Sequence, residues 1–161
     1  MPDHTRRFIA LMSHPVKFRW YLFAQLPSAF FSGVRIREID EDHCVVTVPY
    51  KWFSQNPFRS TYFACLAMAA ELSTGLLAMA RVYKRHPRIS MLVISMRAVY
   101  HKKATDTTIF RCEHGSAFEA TILKAIDSGE SQQFTAISTG RTRQGDLIAE
   151  FYIEWSFKAK N

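Results

Sequence analysis

The sequence predicts an α+β fold in which a curved antiparallel sheet of about six strands wraps one long helix. Three observations predict it. The chain has 161 residues, 48% of them hydrophobic, which suits a single domain with a sizeable core. The segment from Thr61 to Tyr83 is apolar on every face of a helix. Six other segments alternate polar and apolar residues, as strands do. We therefore treat residues 1–161 as one domain, with residues 1–28 as an N-terminal helical extension.

The N-terminal extension is predicted to contain two helical pieces. The first runs from about Thr5 to Met12. Ser13 is the expected N-cap of the second, which has Pro15 in its first turn and ends near Pro27. Because this second piece carries many aromatic residues, two interpretations are open. It packs against the main body, or it lies on a membrane surface.

The remaining elements follow from changes of pattern. A period-two pattern from Phe30 to Lys51 predicts a hairpin with its turn at residues 41–43. A loop at residues 52–60 precedes the long helix, for which Ser60 or Thr61 is the expected N-cap. Four strand-like segments follow at residues 89–103, 107–113, 132–143 and 147–158, with a short helical connection after the second.

The long helix carries an isolated charge. Between Thr61 and Ala80 the only charged residue is Glu71, and a buried carboxylate must be paired, protonated or kept for chemistry. The segment is long enough to span a membrane, but a central Glu would cost on the order of 2.5 kcal/mol in lipid. Because strand patterns flank it on both sides, we predict a core helix and no integral membrane segment.

Composition limits the classes of function. The net charge of +7 is spread along the chain, which indicates either a basic surface or attraction of an anionic ligand such as a nucleotide phosphate or an acidic carrier protein. No nucleic-acid motif accompanies the charge. Cys44, Cys65 and Cys112 form no CxxC pair, so we predict no metal site, no disulfide framework and a reducing, cytoplasmic location. No phosphate loop or dinucleotide motif is present, so we predict no cofactor.

One series of residues resembles a known family. The order Asn56-Pro57, then Tyr62-Phe63-Ala64, then Glu71 is similar to the hotdog-fold thioesterases of the phenylacetate-degradation type and their uncharacterised bacterial relatives. In those families an Asn-x-x-Gly-x-x-His-Gly-Gly-like loop leads into the long helix, and an acid follows about two turns later. Here Tyr62-Phe63-Ala64 stands in place of His-Gly-Gly. The resemblance spans about residues 30–158 and implies the hotdog fold, a long helix held in an antiparallel sheet.

The resemblance also implies a site shared between two subunits. A thioester carbonyl would sit over the backbone N–H groups of Phe63 and Ala64, at the positive end of the helix. Glu71 lies about 12 to 15 Å further along the same helix, too far to serve that carbonyl. In hotdog dimers the acid comes from the other subunit, so we expect a homodimer or a dimer of dimers. Glu71 would act as general base or nucleophile, with its pKa raised by burial.

Further candidates surround this helix start. Asn56 is a catalytic candidate, Thr61 and Tyr62 are candidates for substrate binding, and His101, Lys102 and Lys103 could hold the phosphates of a coenzyme A moiety that belongs to the substrate. Each has a structural alternative. Asn56 could only form a turn, Tyr62 could only pack, and the two lysines could only face water. Glu71 could pair with the partner subunit's Arg97, with Tyr62 or with a strand hydroxyl.

The sequence thus predicts an acyl-CoA or acyl-carrier thioesterase whose partner is a small acyl thioester. Two alternatives are open: a non-catalytic protein that binds a fatty acyl chain or acyl-CoA, and a structural or membrane-surface protein that uses the aromatic segment Val16 to Leu26. A hydratase is disfavoured because no His and Asp pair has the required spacing.

Overall fold

The computed structural model describes residues 3–160, so Met1, Pro2 and Asn161 of the predicted domain lie outside the described residues. Three helices open the chain, and the first β-hairpin, the long helix and four further strands follow. In order, the elements are α1 Asp3–Ser13, α2 Pro15–Gln25, α3 Pro27–Ser32, β1 Arg35–Ile39, β2 Cys44–Val48, a 3-10 turn Trp52–Ser54, α4 Phe63–Val82, β3 Ile89–Tyr100, β4 Thr108–Cys112, α5 Gly115–Ser128, β5 Gln132–Arg141 and β6 Leu147–Ala159.

The six strands form one antiparallel sheet in the order β1-β2-β4-β5-β6-β3. The longest pairing joins β3 to β6, from Ile89 opposite Ala159 to Tyr100 opposite Ala149. Helix α4 contacts β1, β2, β4, β5 and β6. A sheet can reach one helix with five strands only if it curves around that helix. The predicted α+β fold, with one long helix wrapped by the sheet, is confirmed.

Helix α4 forms the centre of the core. Its Ala and Leu side chains are buried on several faces, because it has the sheet on one side and α1, α3 and α5 on others. Among the described residues, α4 is the one helix long and apolar enough to cross a membrane, and 67% of its most apolar window is buried inside the molecule. Burial of this kind is typical of a core helix.

Two buried hydrogen bonds attach α4 to the sheet. The hydroxyl oxygens of Ser73 and Ser138 lie 2.7 Å apart. The indole Nε1 of Trp155, on β6, donates to Thr74 Oγ1 over 3.1 Å. The Thr74 hydroxyl in turn donates to the backbone oxygen of Glu71 over 2.9 Å. These bonds fix the rotation of α4 against the sheet, and hence the direction of Glu71.

The predicted start of the long helix was wrong by two residues. Helix α4 begins at Phe63 with Tyr62 as its N-cap, and no side chain caps it. Thr61 is bonded elsewhere: its backbone N–H and its hydroxyl both donate to the Ala104 oxygen, over 2.7 and 3.2 Å. Ser60 bonds instead to the Asn56 side chain. Hydrogen bonds to Ala104 and Asn56 thus use the hydroxyl groups that the sequence pattern predicted as helix caps.

The N-terminal boundaries also differ from prediction. Ser13 ends α1, and His14 is the N-cap of α2 through its Nδ1, which accepts from Lys17 N over 3.5 Å. A third helix, α3, occupies the start of the segment predicted as a strand from Phe30. Pro27 in its first turn favours a new helix, and Gly33, with φ of +81°, ends it in the left-handed conformation. Buried side chains of α1 and α2 join the main core: Phe8, Met12, Phe18 and Leu22.

Candidate active site

A groove of about 540 Å³ lies at the start of α4. Two segments form it, the loop before α4 and the residues that follow β3, and the bond from Thr61 N to Ala104 O holds them together. Strand β3 ends at Tyr100, and not at residue 103 as predicted. The three basic candidates, His101, Lys102 and Lys103, therefore lie in the loop that follows β3. Seven of the nine predicted site residues line the groove: Asn56, Thr61, Tyr62, Phe63, His101, Lys102 and Lys103.

The helix start presents free backbone donors beside this groove. Cys65 N and Leu66 N both donate to the Tyr62 oxygen. By contrast, the N–H groups of Phe63 and Ala64 have no acceptor among residues 3–160. Unpaired N–H groups at the positive end of a 20-residue helix are suited to bind an oxyanion. This geometry is compatible with the oxyanion hole expected from the resemblance.

The side chain of Asn56 is engaged within its own loop. Its Oδ1 accepts from the backbone N–H of Phe58 over 2.9 Å and of Ser60 over 3.2 Å, and its amide also bonds the Ser60 hydroxyl. In this chain Asn56 therefore shapes the turn that leads into α4. A catalytic role for Asn56 stays a prediction, as does a substrate-binding role for Thr61, whose hydroxyl is bonded to Ala104 and buried.

Two of the three basic candidates bond to carboxylates near the surface. His101 Nε2 lies 2.9 Å from Glu150 Oε2, and Lys102 Nζ lies 2.8 Å from Asp146 Oδ2. Pairs exposed to this degree contribute little and exchange readily. Lys103 forms no ion pair with any residue that the structure describes. It is therefore the cation of this groove that is most available to an anionic ligand.

Glu71 faces a different cleft. Its carboxylate lines a space of about 290 Å³ together with Leu26 and Pro27 at the α2–α3 junction and Met68 on its own helix. Within residues 3–160, no hydrogen bond or ion pair acts on the Glu71 carboxylate. The guanidinium of Arg97 stacks instead on the Tyr152 ring at 3.9 Å. Burial raises the pKa of Glu71 above its ordinary value.

Glu71 has two neighbours that were not predicted from the sequence. An ideal Cβ at Gly75 would lie 3.0 Å from Glu71 Oε1, so the glycine leaves room for the carboxylate on the next helical turn. Tyr21, on α2, has a raised pKa because it is half buried and because the charge of Glu71 acts on its phenol. The spacing of four residues from Glu71 could have indicated Gly75. Nothing local could have indicated Tyr21, since only tertiary packing places α2 beside α4.

Within one chain the two halves of the predicted site are separate. Glu71 lies eight positions after Phe63, which is about 12 Å along the helix. The groove and the cleft share no lining residue. Among residues 3–160, no three His, Cys, Asp or Glu side chains are grouped as a metal site requires.

The fold of this protein is the hotdog fold, with one long helix held in an antiparallel sheet. The chain belongs to the family described as a domain of unknown function (DUF4442), whose profile matches residues 17–156. No curated protein sequence matches the chain.

Solved structures share this fold at low sequence identity. A protein of unknown function from Pseudomonas aeruginosa, described as a probable thioesterase, aligns with a TM-score of 0.76 and 17% identity over 93% of this chain and 99% of its own. A thioesterase family protein from Silicibacter pomeroyi gives 0.63 and 15%, over 90% and 98%. A thioesterase from Haemophilus influenzae gives 0.60 and 11%, over 89% and 90%. At such identities the likeness shows the fold alone.

Proposed function

We propose that this protein is a thioesterase that hydrolyses an acyl-CoA or acyl-carrier thioester at a site shared between two subunits. The observation that supports it best is the pair of unpartnered N–H groups, of Phe63 and Ala64, at the mouth of the groove. Three of its structural neighbours are described as thioesterases or a probable thioesterase. Coenzyme A would enter only as part of the substrate, with Lys103 the first candidate for its phosphates.

The roles follow from the charge that thioester hydrolysis develops. Attack on the carbonyl carbon places negative charge on its oxygen, which the two N–H groups would stabilise. Glu71 of the other subunit would take the proton of the attacking water, or attack the carbonyl itself. Because burial raises the pKa of Glu71, its carboxylate would be a stronger base near neutral pH than an exposed one.

The exposed edge of β3 supports a dimer. This strand has 12 residues, and among the strands of residues 3–160 only β6 pairs with it. It also exposes large apolar side chains, Leu92 by 64% and Met96 by 42%. An edge of this kind favours pairing with a second chain, and the hotdog resemblance places the acid of one subunit near the helix start of the other. A cytoplasmic location fits the three free cysteines, which are all buried.

The first experiment tests both halves of the site with matched substitutions. Glu71→Gln should lower kcat on a responsive acyl-CoA by about 10²- to 10⁴-fold, whereas Glu130→Gln, on an exposed turn, should not. Phe63→Pro removes one N–H at the first position of α4, where proline is tolerated, and the extended backbone of Tyr62 (φ −61°, ψ 135°) accepts a following proline. Phe63→Ala keeps the N–H and is its control. Only the proline variant should lose about 10²-fold or more.

A mixing experiment then tests the sharing of the site. Subunits carrying Glu71→Gln and subunits carrying Phe63→Pro should each be nearly inactive. Once mixed and allowed to exchange, hybrid dimers hold one site with both groups intact, so activity should return to about a quarter of the wild-type value. No recovery in confirmed hybrids would refute the shared site. A wild-type protein that turns over no member of a broad acyl-CoA and acyl-carrier panel would refute the thioesterase.

One observation favours the alternative, a non-catalytic acyl or acyl-CoA binding protein. The polar side chains of Asn56 and Thr61 are bonded within the protein, and exposed Phe58, Tyr62 and Phe63 surround the groove. Such a lining favours holding an apolar ligand over polarising it. Native mass spectrometry of the purified protein distinguishes the two, because a binding protein would retain an intact acyl ligand and a thioesterase would release the free acid.

A further inference from the structure

A surface of exposed aromatic side chains lies on α2, α3 and the 3-10 turn, apart from the groove and from Glu71. Its rings touch in sequence, with centroid distances between 4.8 and 6.0 Å along the row. Exposure reaches 67% for Trp20, 75% for Trp52 and 57% for Phe53. We call it the aromatic surface, and it consists of Trp20, Phe23, Phe30, Phe31, Phe53 and Trp52.

An apolar hollow adjoins this surface. It measures about 500 Å³ and is lined by Pro15, Val16 and Arg19 with three of the rings. A folded domain that exposes a contiguous apolar surface normally uses that surface to bind a partner or a membrane. The exposed Trp side chains favour a membrane surface as the partner. An indole has an apolar ring system and one polar N–H, and this combination suits it to the interface between lipid and water.

The sequence segments that form the aromatic surface carry charge of one sign. The two segments that carry it, residues 13–37 and 43–70, contain six Lys or Arg and no Asp or Glu. Arg19 lies in its middle, with its guanidinium 3.8 Å from the Phe30 ring centroid, and its Nη1 has no hydrogen-bond partner in the part of the chain that the structure describes. The ammonium group of Lys51 lies against Gly33 at the end of α3. None of these six cations forms an ion pair with a residue that the structure describes.

From these observations we infer that the aromatic surface docks on the headgroup region of an anionic lipid bilayer. The rings would enter the boundary between headgroups and acyl chains, and the surrounding cations would bind lipid phosphates. A second copy of the chain fits less well, because an isologous contact would bring two sets of unneutralised cations together.

Vesicle flotation tests the inference on the full chain. The protein should bind vesicles of three parts phosphatidylcholine to one part phosphatidylglycerol, and should not bind vesicles of phosphatidylcholine alone. High salt should weaken the binding. Trp fluorescence gives a second readout, since Trp20 and Trp52 are exposed while Trp155 is 4% exposed. Binding should therefore shift the emission to shorter wavelength.

Matched variants locate the contact. Lys17→Gln should weaken binding to the mixed vesicles about five-fold, and the double change Trp20→Ala with Trp52→Ala should weaken it by about ten-fold or more. The controls lie on α5. Lys124→Gln and Leu123→Ala change an exposed cation and an exposed apolar side chain and should leave binding unchanged. Since none of the five positions belongs to the proposed site, hydrolysis of a water-soluble acyl-CoA should also stay unchanged.

Three results would overturn the inference. The first is absence of binding to the mixed vesicles, or equal binding to phosphatidylcholine alone. The second is equal loss in the α5 controls and in the variants of the aromatic surface. The third is a drop from dimer to monomer in the double Trp variant by light scattering, which would assign the aromatic surface to a second copy. None of these results depends on whether the protein hydrolyses thioesters.

Discussion

Replacing Thr74 by Val tests the attachment of α4 to the sheet. Thr74 is fully buried, and its hydroxyl accepts the indole N–H of Trp155 over 3.1 Å. Valine keeps the shape of the side chain but has no acceptor, so the buried N–H is left unsatisfied. This should lower the free energy of unfolding by about 1 to 3 kcal/mol. For a chain of 161 residues that corresponds to a fall in Tm of about 2 to 12 °C.

A double-mutant cycle isolates the hydrogen bond from other effects of the substitution. Trp155→Phe removes the N–H, so Thr74→Val should cost little when it is made in that background. The free energies come from urea unfolding of all four proteins at one pH, followed by circular dichroism, with thermal melts as a second measure. An equal cost of Thr74→Val in both backgrounds would refute the reasoning, because the cost would then not arise from the indole N–H.

Three further predictions concern stability and the site. Burial raises the pKa of Glu71, so the folded state binds the carboxyl proton more tightly than the unfolded state does. The contribution of Glu71 to the free energy of unfolding therefore falls as pH rises from the ordinary carboxyl range through the folded pKa. Urea unfolding should show that Glu71→Gln gains stability over wild type as pH rises above the ordinary carboxyl range, from about pH 4, and a constant difference would contradict it. Gly115→Ala should lower the free energy of unfolding by about 1 to 3 kcal/mol, because an added Cβ would overlap the backbone of Glu41. Ser116→Ala, one exposed position later, should change it by about 0.5 kcal/mol at most. Asn56→Ala should cost about 1 kcal/mol, since two backbone N–H groups lose their acceptor, and unchanged melting would show that water replaces the amide.

The sequence predicted the elements whose signal is periodic. The long apolar run predicted α4, and alternating or nearly continuous apolar segments predicted the strands from β1 to β6, because burial imposes the hydrophobic pattern of each element. The boundaries at Thr61 and Ser13 were wrong for a local reason: a capping residue is recognised by its type, and the type does not say whether its hydroxyl is already bonded elsewhere. Helix α3 was missed because Pro27 both ends one helix and starts the next.

The candidate site divides in the same way. The order of the motif residues predicted Asn56, Phe63 and Glu71 as site candidates. The predicted residues of the loop and of the helix start line one groove because the chain is continuous from the loop into the helix. The contacts that decide their chemistry join residues far apart in sequence. Asn56 is occupied by its own turn, Glu71 has a phenol beside it from α2, and Arg97 is stacked on β6.

By itself the sequence determined that one apolar helix with one carboxylate must lie at the centre of an antiparallel sheet. Hydrophobic periodicity is local information, and it specifies which faces leave water. Only the tertiary structure decided where that carboxylate points, which N–H groups stay open, and that six aromatic rings gather among unneutralised cations. Those features depend on which distant segments meet, and side-chain packing settles that only once the whole core has formed.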